Sequence, residues 1–339
     1  MRKIDIFTHI MPTPYHTLLT KLAPDFADVG KRMRGVPMLT DLDLRFRVMD
    51  AFESYQQILS LPTPPIEAMV SGEDAVDLAR AANDGMAELV HRHPARFPGF
   101  VASLPLGDPA AAMTELERAI GTLGARGIQL FSNVKGAPLT SPELLPLFEA
   151  MSGYDLPIWL HPYRGPAWSD YPVEDRSQFE IWWTFGWPYD TSVAMARIVF
   201  AGYFDRWPGL KIITHHMGAM APYFAGRVGP GWDQLGARTS APDGAEALQR
   251  LKKRPIDYFH MFYADTALFG AYDATVCGLA FFGADRVVFA SDAPFDPEGG
   301  PMYIRETIGI VDRLPLTDAE RRQIYSENAR RILRLPADG

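Results

Sequence analysis

The sequence has almost no cysteine, no long hydrophobic segment and no excess of positive charge. Cys277 is the single cysteine among 339 residues, which excludes an intramolecular disulfide and a cysteine-rich metal cluster. No run of about 18 apolar residues occurs, so we expect no membrane-spanning helix. Asp5 interrupts the apolar run that a signal peptide would need. The net charge is -8, with 33 basic and 41 acidic residues, which argues against non-specific nucleic-acid binding. We therefore expect a cytoplasmic protein.

The rest of the composition is that of a folded globular protein. Hydrophobic residues make up 47% of the chain and charged residues 22%. An α/β barrel reaches this length as one unit, and no repeat or block of like charge marks a boundary. We predict a single domain over residues 1–339.

Eight short apolar or β-branched runs predict strands. Several are continuously apolar, which is typical of strands buried on both faces of a parallel sheet. The runs are Lys3–Phe7, Gln57–Leu61, Phe97–Ser103, Gly127–Leu130, Pro157–His161, Lys211–His215, Met261–Asp265 and Arg286–Ala290.

Helical patterns lie between many of these runs. Start signals support several of them, including Asp108 before a proline and the capping-box spacing of Thr317 and Glu320. Helices are predicted over Asp74–Arg92, Asp108–Leu123, Ser141–Met151, Asp190–Tyr203, Ala271–Ala280, Met302–Leu314 and Thr317–Leu333.

The alternation of strands and helices predicts an α/β fold, a (β/α)8 TIM-type barrel. An open doubly wound sheet is the alternative, but the glycine-rich phosphate loop that would favour it is absent after the first strand. The segment 12–43 is predicted to be an irregular insertion after strand 1, acting as a lid or an oligomer contact.

Polar side chains follow four of the predicted strands. His9 follows the first strand, His161 ends the fifth, His215 and His216 follow the sixth, and Asp292 follows the eighth. In a barrel these strand ends meet at one rim, where catalytic groups lie. His9, His161, Asp292 and one of the two adjacent histidines therefore predict a divalent metal site with nitrogen and oxygen ligands, such as zinc.

Each of these residues also has a simpler interpretation. A lone histidine after a strand is more often a structural hydrogen-bonding group, and Asp292 could cap a following helix. In an extended chain His215 and His216 point in opposite directions, so we expect at most one to face the barrel mouth. The tryptophans Trp159, Trp168, Trp182, Trp183 and Trp187 are expected to form core and pocket wall, suited to a flat ring.

Several segments together resemble the amidohydrolase superfamily. The resemblance is to its branch of metal-dependent decarboxylases, which includes the aminocarboxymuconate semialdehyde, γ-resorcylate and 5-carboxyvanillate decarboxylases. The segments run in order almost from end to end, and the stretch 204–227 is the most specific. They include Ile4–His9, Arg47–Asp50, Phe204–Ile213, His216–Gly218, Phe289–Pro294 and Glu327–Leu333.

This resemblance implies a site. It makes His9, His161 and Asp292 metal ligands and His216 an acid or base beside the metal, with Asp292 as a second catalytic group and His215 supporting the ligands. Arg164 is a candidate for the substrate carboxylate, with a salt bridge in a loop as an equal alternative. Trp168 and Arg47 are further candidates for substrate binding.

Phe7 departs from the family pattern, which places a first ligand, histidine or glutamate, two residues before His9. A phenyl ring offers no lone pair to a metal ion. The site then works with three ligands and water, aided by His216, or binds metal weakly, or belongs to a subunit that lost catalysis.

The resulting prediction is an enzyme, a metal-dependent, non-oxidative decarboxylase of a hydroxylated aromatic or related unsaturated carboxylic acid. A hydrolase or hydratase of the same superfamily is the first alternative, and a non-catalytic subunit of a hetero-oligomer is the second. Zinc is the expected ion, with manganese and iron as alternatives. The expected partners are a small carboxylic acid and a second copy of the chain, with neither nucleic acid nor membrane.

Overall fold

Eight parallel strands close into a barrel in the computed structural model, which describes residues 1–26, 28–240 and 243–336. In chain order the strands of the described residues are β1 (Lys3–His9), β2 (Tyr55–Ser60), β3 (Gly99–Phe100), β4 (Ile128–Phe131), β5 (Asn133–Val134), β6 (Ala137–Pro138), β7 (Ile158–His161), β8 (Ile212–Thr214), β9 (Tyr263–Asp265) and β10 (Val287–Val288). Strands β5 and β6 form a small antiparallel hairpin outside the barrel order. The eight predicted strands are confirmed.

The barrel order follows the sequence. One sheet runs β1-β2-β3 and a second runs β4-β7-β8-β9-β10. Parallel bridges between Ala102 and Ile128 and between Thr8 and Ala293 join the edges of the two sheets. Every barrel strand therefore has two neighbours, and the first strand lies beside the last.

Helices surround the strands. In the described residues they are α1 (Thr13–Leu22), α2 (Val29–Arg34), α3 (Leu42–Asp50), α4 (Ile66–Met69), α5 (Glu73–Arg92), α6 (Pro109–Gly121), α7 (Leu145–Tyr154), α8 (Ile181–Thr184), α9 (Gly186–Phe200), α10 (Tyr203–Arg206), α11 (Asp243–Arg250), α12 (Pro255–Phe259), α13 (Tyr272–Phe282), α14 (Pro301–Arg313), α15 (Asp318–Arg322) and α16 (Asn328–Leu333). No helix in these ranges is long and apolar enough to cross a membrane.

The predicted start signals act as expected. Asp108 caps α6 by accepting hydrogen bonds from the backbone N–H groups of Ala110 and Ala111. Thr317 and Glu320 form a complete capping box at α15. The single helix predicted over 317–333 is divided by a π-helical turn at Gln323–Glu327.

The segment 12–43 is an insertion, as predicted, but much of it is not irregular. It contains α1, α2 and a 3-10 turn at Pro37–Leu39, and it runs into α3. Helix α1 packs closely on α5, because a Cβ atom at Gly85 would lie 2.5 Å from the Pro12 side chain.

The barrel interior is filled by side chains. Trp159 on β7 is fully buried, and its indole N–H donates to the carbonyl of Ile6 on β1, 3.0 Å away. Since β7 lies opposite β1 in the strand order, the ring crosses the barrel. Gly127 allows this packing, since a Cβ there would lie 2.6 Å from the Trp159 ring. The site lies above this ring, where the strands end.

Candidate metal centre and active site

Four buried side chains converge at the carboxyl ends of the strands. His9 and His161 are the last residues of β1 and β7, His215 directly follows β8, and Asp292 lies in the loop after β10. One ligand atom from each lies within 4.8 Å of the others. The chemistry of this set, three imidazoles and a carboxylate, suits a divalent metal ion.

His9 is held rigidly at the end of β1. Its Nδ1 lies 3.0 Å from the Leu61 carbonyl and its Nε2 lies 2.9 Å from Asp292 Oδ1. The buried guanidinium of Arg45 donates to the His9 carbonyl and to Gln57 Oε1. An imidazole whose Nδ1 faces a carbonyl presents Nε2 to the site, which is the arrangement of a metal ligand.

His161 has the same orientation. Its Nδ1 lies 2.6 Å from the Pro162 carbonyl. Burial and the neighbouring imidazoles of His215 and His9 hold the pKa of His161 well below its usual range. The ring is therefore neutral, which is the form that binds metal ions.

His215 and His216 both face the site, so the prediction that at most one would do so is wrong. His215 Nε2 lies 3.4 Å from Asp292 Oδ1, and His216 Nε2 lies 3.7 Å from Asp292 Oδ2. The prediction assumed an extended backbone, but His216 has a φ of 55°. This left-handed conformation brings the two ring centroids within 3.7 Å of each other.

Asp292 accepts contacts from three histidines. Burial raises its pKa, but the imidazoles of His215, His216 and His9 outweigh that effect and hold the pKa well below its usual range. Asp292 caps no helix, because α14 begins only at Pro301 after Gly300. That simpler interpretation of Asp292 is therefore excluded.

Asp265, at the end of β9, contacts both adjacent histidines. Its Oδ2 lies 2.5 Å from His215 Nδ1, and its Oδ1 accepts the backbone N–H of His216. Burial lowers the pKa of His215, but the carboxylates of Asp265 and Asp292 raise it to about 9. Asp265 was not predicted as a site residue, although a carboxylate at a predicted strand end is a usable signal.

Phe7 lies among these imidazoles. Its side chain is fully buried, and its ring centroid lies 5.4 Å from that of His9, 5.6 Å from that of His161 and 4.0 Å from that of His215. The phenyl ring thus packs directly against the histidine cluster and fills space beside it.

A cavity of about 680 Å³ opens beside the cluster, and His161 and Asp292 contribute to its wall. Aromatic side chains form much of the rest: Trp182, Trp183, Trp187, Phe179, Phe269, Phe295 and Tyr303. Cationic side chains of Lys31, Arg32 and Arg176 also line it. Lys31 and Arg32 belong to the insertion after β1, so that segment forms part of the cavity wall. The place of these two cations in the wall was not predicted.

Three predicted substrate-binding residues lie elsewhere, and none of them lines this cavity. Arg164 forms a salt bridge with Asp190 at 3.1 Å, which is the alternative considered for it, and its guanidinium lies over the Trp168 ring at 4.9 Å. Arg47 is exposed on α3, whereas Arg45, two residues earlier, points inward. These positions argue against direct contact with a substrate.

Comparisons with known proteins agree with this architecture. The γ-resorcylate decarboxylase of Polaromonas sp. strain JS666 is 33% identical over 300 residues, covering 86% of this chain and 87% of the relative. A crystal structure of dihydroxybenzoic acid decarboxylase from Polaromonas sp. JS666, with bound manganese and the inhibitor 2-nitroresorcinol, is 28% identical. Its TM-score is 0.79, with 98% of this chain and 97% of that chain covered.

A second solved structure is similar over its whole length. The 5-carboxyvanillate decarboxylase from Sphingomonas paucimobilis is 27% identical with a TM-score of 0.80, and 99% of each chain is covered. These findings confirm the predicted fold class and the predicted branch. The amidohydrolase family profile matches residues 4–335, so this chain belongs to the amidohydrolase family.

Proposed function

We propose that this protein is a metal-dependent, non-oxidative decarboxylase of a hydroxylated aromatic or related unsaturated carboxylic acid. The observation that carries the proposal is the buried cluster of imidazoles and carboxylate that opens into an aromatic-walled cavity. Two relatives support it, because they are a γ-resorcylate decarboxylase and a 5-carboxyvanillate decarboxylase.

The donor set fits a divalent metal ion. His9, His161 and Asp292 would hold it, and an unpartnered buried nitrogen, Nε2 of His215, lies beside them. A bound ion would supply Lewis-acid stabilisation of the substrate's oxygens. We propose zinc because imidazoles dominate the set; manganese is the ion in the Polaromonas structure.

The cavity wall orients the substrate. Trp182 and Trp187 line the cavity, and their aromatic surface would pack on a flat ring and shield it from water. Lys31 and Arg32 place positive charge on the same wall, which attracts a carboxylate. The Arg32 guanidinium also donates to the Phe295 carbonyl, 2.5 Å away, and this fixes its position.

Carbon–carbon cleavage leaves an electron pair on the ring carbon, and that carbon must receive a proton. His216 Nε2 is buried, has no hydrogen-bond partner and lies near the Asp292 carboxylate. We propose that His216 holds the proton at Nε2 and that Asp292 orients the ring and relays protons to it. The Phe269 ring, with its centroid 5.3 Å from that of His216, closes the other side.

Turnover of a substrate panel tests the proposal. Protein loaded with zinc or manganese is incubated with hydroxybenzoates, and carbon dioxide release and the decarboxylated product are followed. We expect release with at least one compound and a loss of about 100-fold or more in kcat for His216→Asn. His260→Asn, at an exposed histidine of another loop, is the matched control and should keep full activity.

Two outcomes would contradict this function. Products formed without carbon dioxide would indicate a hydrolase or hydratase. A fully metallated protein that turns over no compound of a broad panel would favour a non-catalytic subunit.

We further propose that the chain acts as a single-domain, cytoplasmic homodimer. Support for the dimer comes from large apolar side chains that are exposed within one short segment: Tyr171, Val173, Phe179, Phe185 and Tyr189. Several large exposed apolar groups within one segment are typical of protein–protein contacts.

A further inference from the structure

A ligand position on the first strand is filled by a residue that cannot bind metal. Phe7 stands two residues before His9, where the family resemblance implies a histidine or glutamate. The phenylalanine side chain has no atom that can coordinate a metal ion. It is fully buried and packed against the histidine cluster, so it occupies the ligand position. Three protein ligands and water suffice for a catalytic zinc site, so a fourth protein ligand, where there is one, has to come from another element.

His215 lies directly on that phenyl ring. The two ring centroids are 4.0 Å apart and the ring planes differ by 18°, so the imidazole is stacked on Phe7. Its Nε2 belongs to the group of donors that approach within 4.8 Å of one another. The same nitrogen is buried and has no hydrogen-bond partner of its own.

The other ring nitrogen of His215 is already bound. Nδ1 lies 2.5 Å from Asp265 Oδ2, and both side chains are fully buried. A carboxylate on the far nitrogen is the usual partner of a metal-binding histidine, since it fixes the ring and makes the near nitrogen a better donor. His9 and His161 show the same pattern with backbone carbonyls.

We propose that His215 is a metal ligand that replaces the missing ligand of the first strand, with Asp265 as its positioning residue. The inference rests on the proposed metal-dependent function and goes beyond it, because the resulting site has three imidazoles and one carboxylate. His216 is excluded from this role by its place outside the group of four donors. The two adjacent histidines thus have different roles: His215 binds the metal ion and His216 transfers protons.

The replacement has a consequence for metal preference. Relative to the family pattern with glutamate at this position, an imidazole makes the ligand set less negative and less hard. Zinc and cobalt gain from this change relative to manganese, which favours oxygen ligands.

Metal binding without catalysis tests the proposal. Zinc content and zinc affinity of the purified protein are measured by elemental analysis and competition with a chelating dye. We expect His215→Ala to weaken zinc binding by about 100-fold or more and Asp265→Asn by about 10–100-fold. His216→Asn, the matched control at the neighbouring histidine, should leave zinc affinity within about threefold of wild type. Unchanged zinc affinity in His215→Ala would overturn the proposal.

The deciding result of a second measurement comes from the wild-type protein, so it does not depend on whether a variant folds. In the cobalt-substituted wild-type protein, proton NMR shows strongly shifted, exchangeable signals from the N–H groups of coordinated imidazoles. We expect three such signals, one of which is lost in His215→Ala and none in His216→Asn. Two signals in the wild type would overturn the proposal. The decarboxylase function is tested separately: a protein with three signals and no turnover refutes the function alone, and an active protein with two signals refutes the ligand alone.

Discussion

At the scale of the residue, the site could be predicted only in part. His9, His161 and Asp292 were identified because the carboxyl ends of parallel strands meet at one rim. The family resemblance assigned an acid or base role to His216 and a supporting role to His215. That both side chains face the site could not be predicted, since this depends on the left-handed backbone of His216. Arg47 was predicted to bind substrate, but the phase of helix α3 places Arg45 inward and Arg47 outward.

Glu67 on α4 gives a prediction for pH. Its side chain is buried, its Oε1 has no hydrogen-bond partner, and burial raises its pKa to about 7. Between its ordinary pKa and that value the folded state binds more protons than the unfolded state, so the stability from this group is lost as pH rises to about 7. Glu67→Gln removes this titration.

The free energy of unfolding of Glu67→Gln, relative to wild type, should therefore rise by about 1–3 kcal/mol between pH 5 and pH 8. Thermal unfolding midpoints at the two pH values measure this. Glu117→Gln, at an exposed glutamate of α6, is the control and should show no such trend. A Glu67→Gln difference that is the same at both pH values would contradict the prediction.

At the scale of the element, strands were easier to predict than connections. Buried parallel strands are short apolar runs, and all eight stood out in the sequence. The helices α1 and α2 were not predicted, because prolines and charged residues obscure their periodicity and because packing on α5 stabilises α1. The cations that α2 contributes to the cavity were missed with it.

Helix α13 supports the turn that carries the two histidines. A Cβ atom at Gly278 would lie 1.9 Å from Cγ of Met217, the residue after His216. Gly278→Ala must therefore displace the Met217 side chain, and we expect this displacement to shift the turn. We expect lower zinc affinity and at least about a tenfold loss of kcat/KM, since a shift of about 1 Å disrupts the positioned groups.

Gly121→Ala is the matched control for Gly278→Ala. Gly121 ends α6, and nothing lies within 4 Å of a Cβ placed there. The same substitution should leave zinc affinity unchanged and stabilise the protein by about 0.4–1 kcal/mol. Normal activity in Gly278→Ala would show that the turn does not depend on α13.

At the scale of the whole molecule, the exposed apolar segment gives a prediction about assembly. Val173 and Phe185 are 94% and 71% exposed. If both side chains lie in a dimer contact, the double variant Val173→Asp/Phe185→Asp should be a folded monomer. Light scattering after size-exclusion chromatography measures the mass. Val276→Asp, on α13 away from this segment, should stay dimeric. A wild-type mass of one chain would refute the dimer.

The first and last strands lie side by side in the barrel, so the metal ligands come together only late in the synthesis of the chain. His9 and Asp292 are in contact although 283 positions separate them in the chain. During synthesis the ribosome must therefore deliver nearly the entire polypeptide before the carboxylate can join the imidazoles. A prematurely terminated chain would lack that carboxylate. High-affinity metal binding would therefore distinguish the full-length, correctly folded chain from shorter ones.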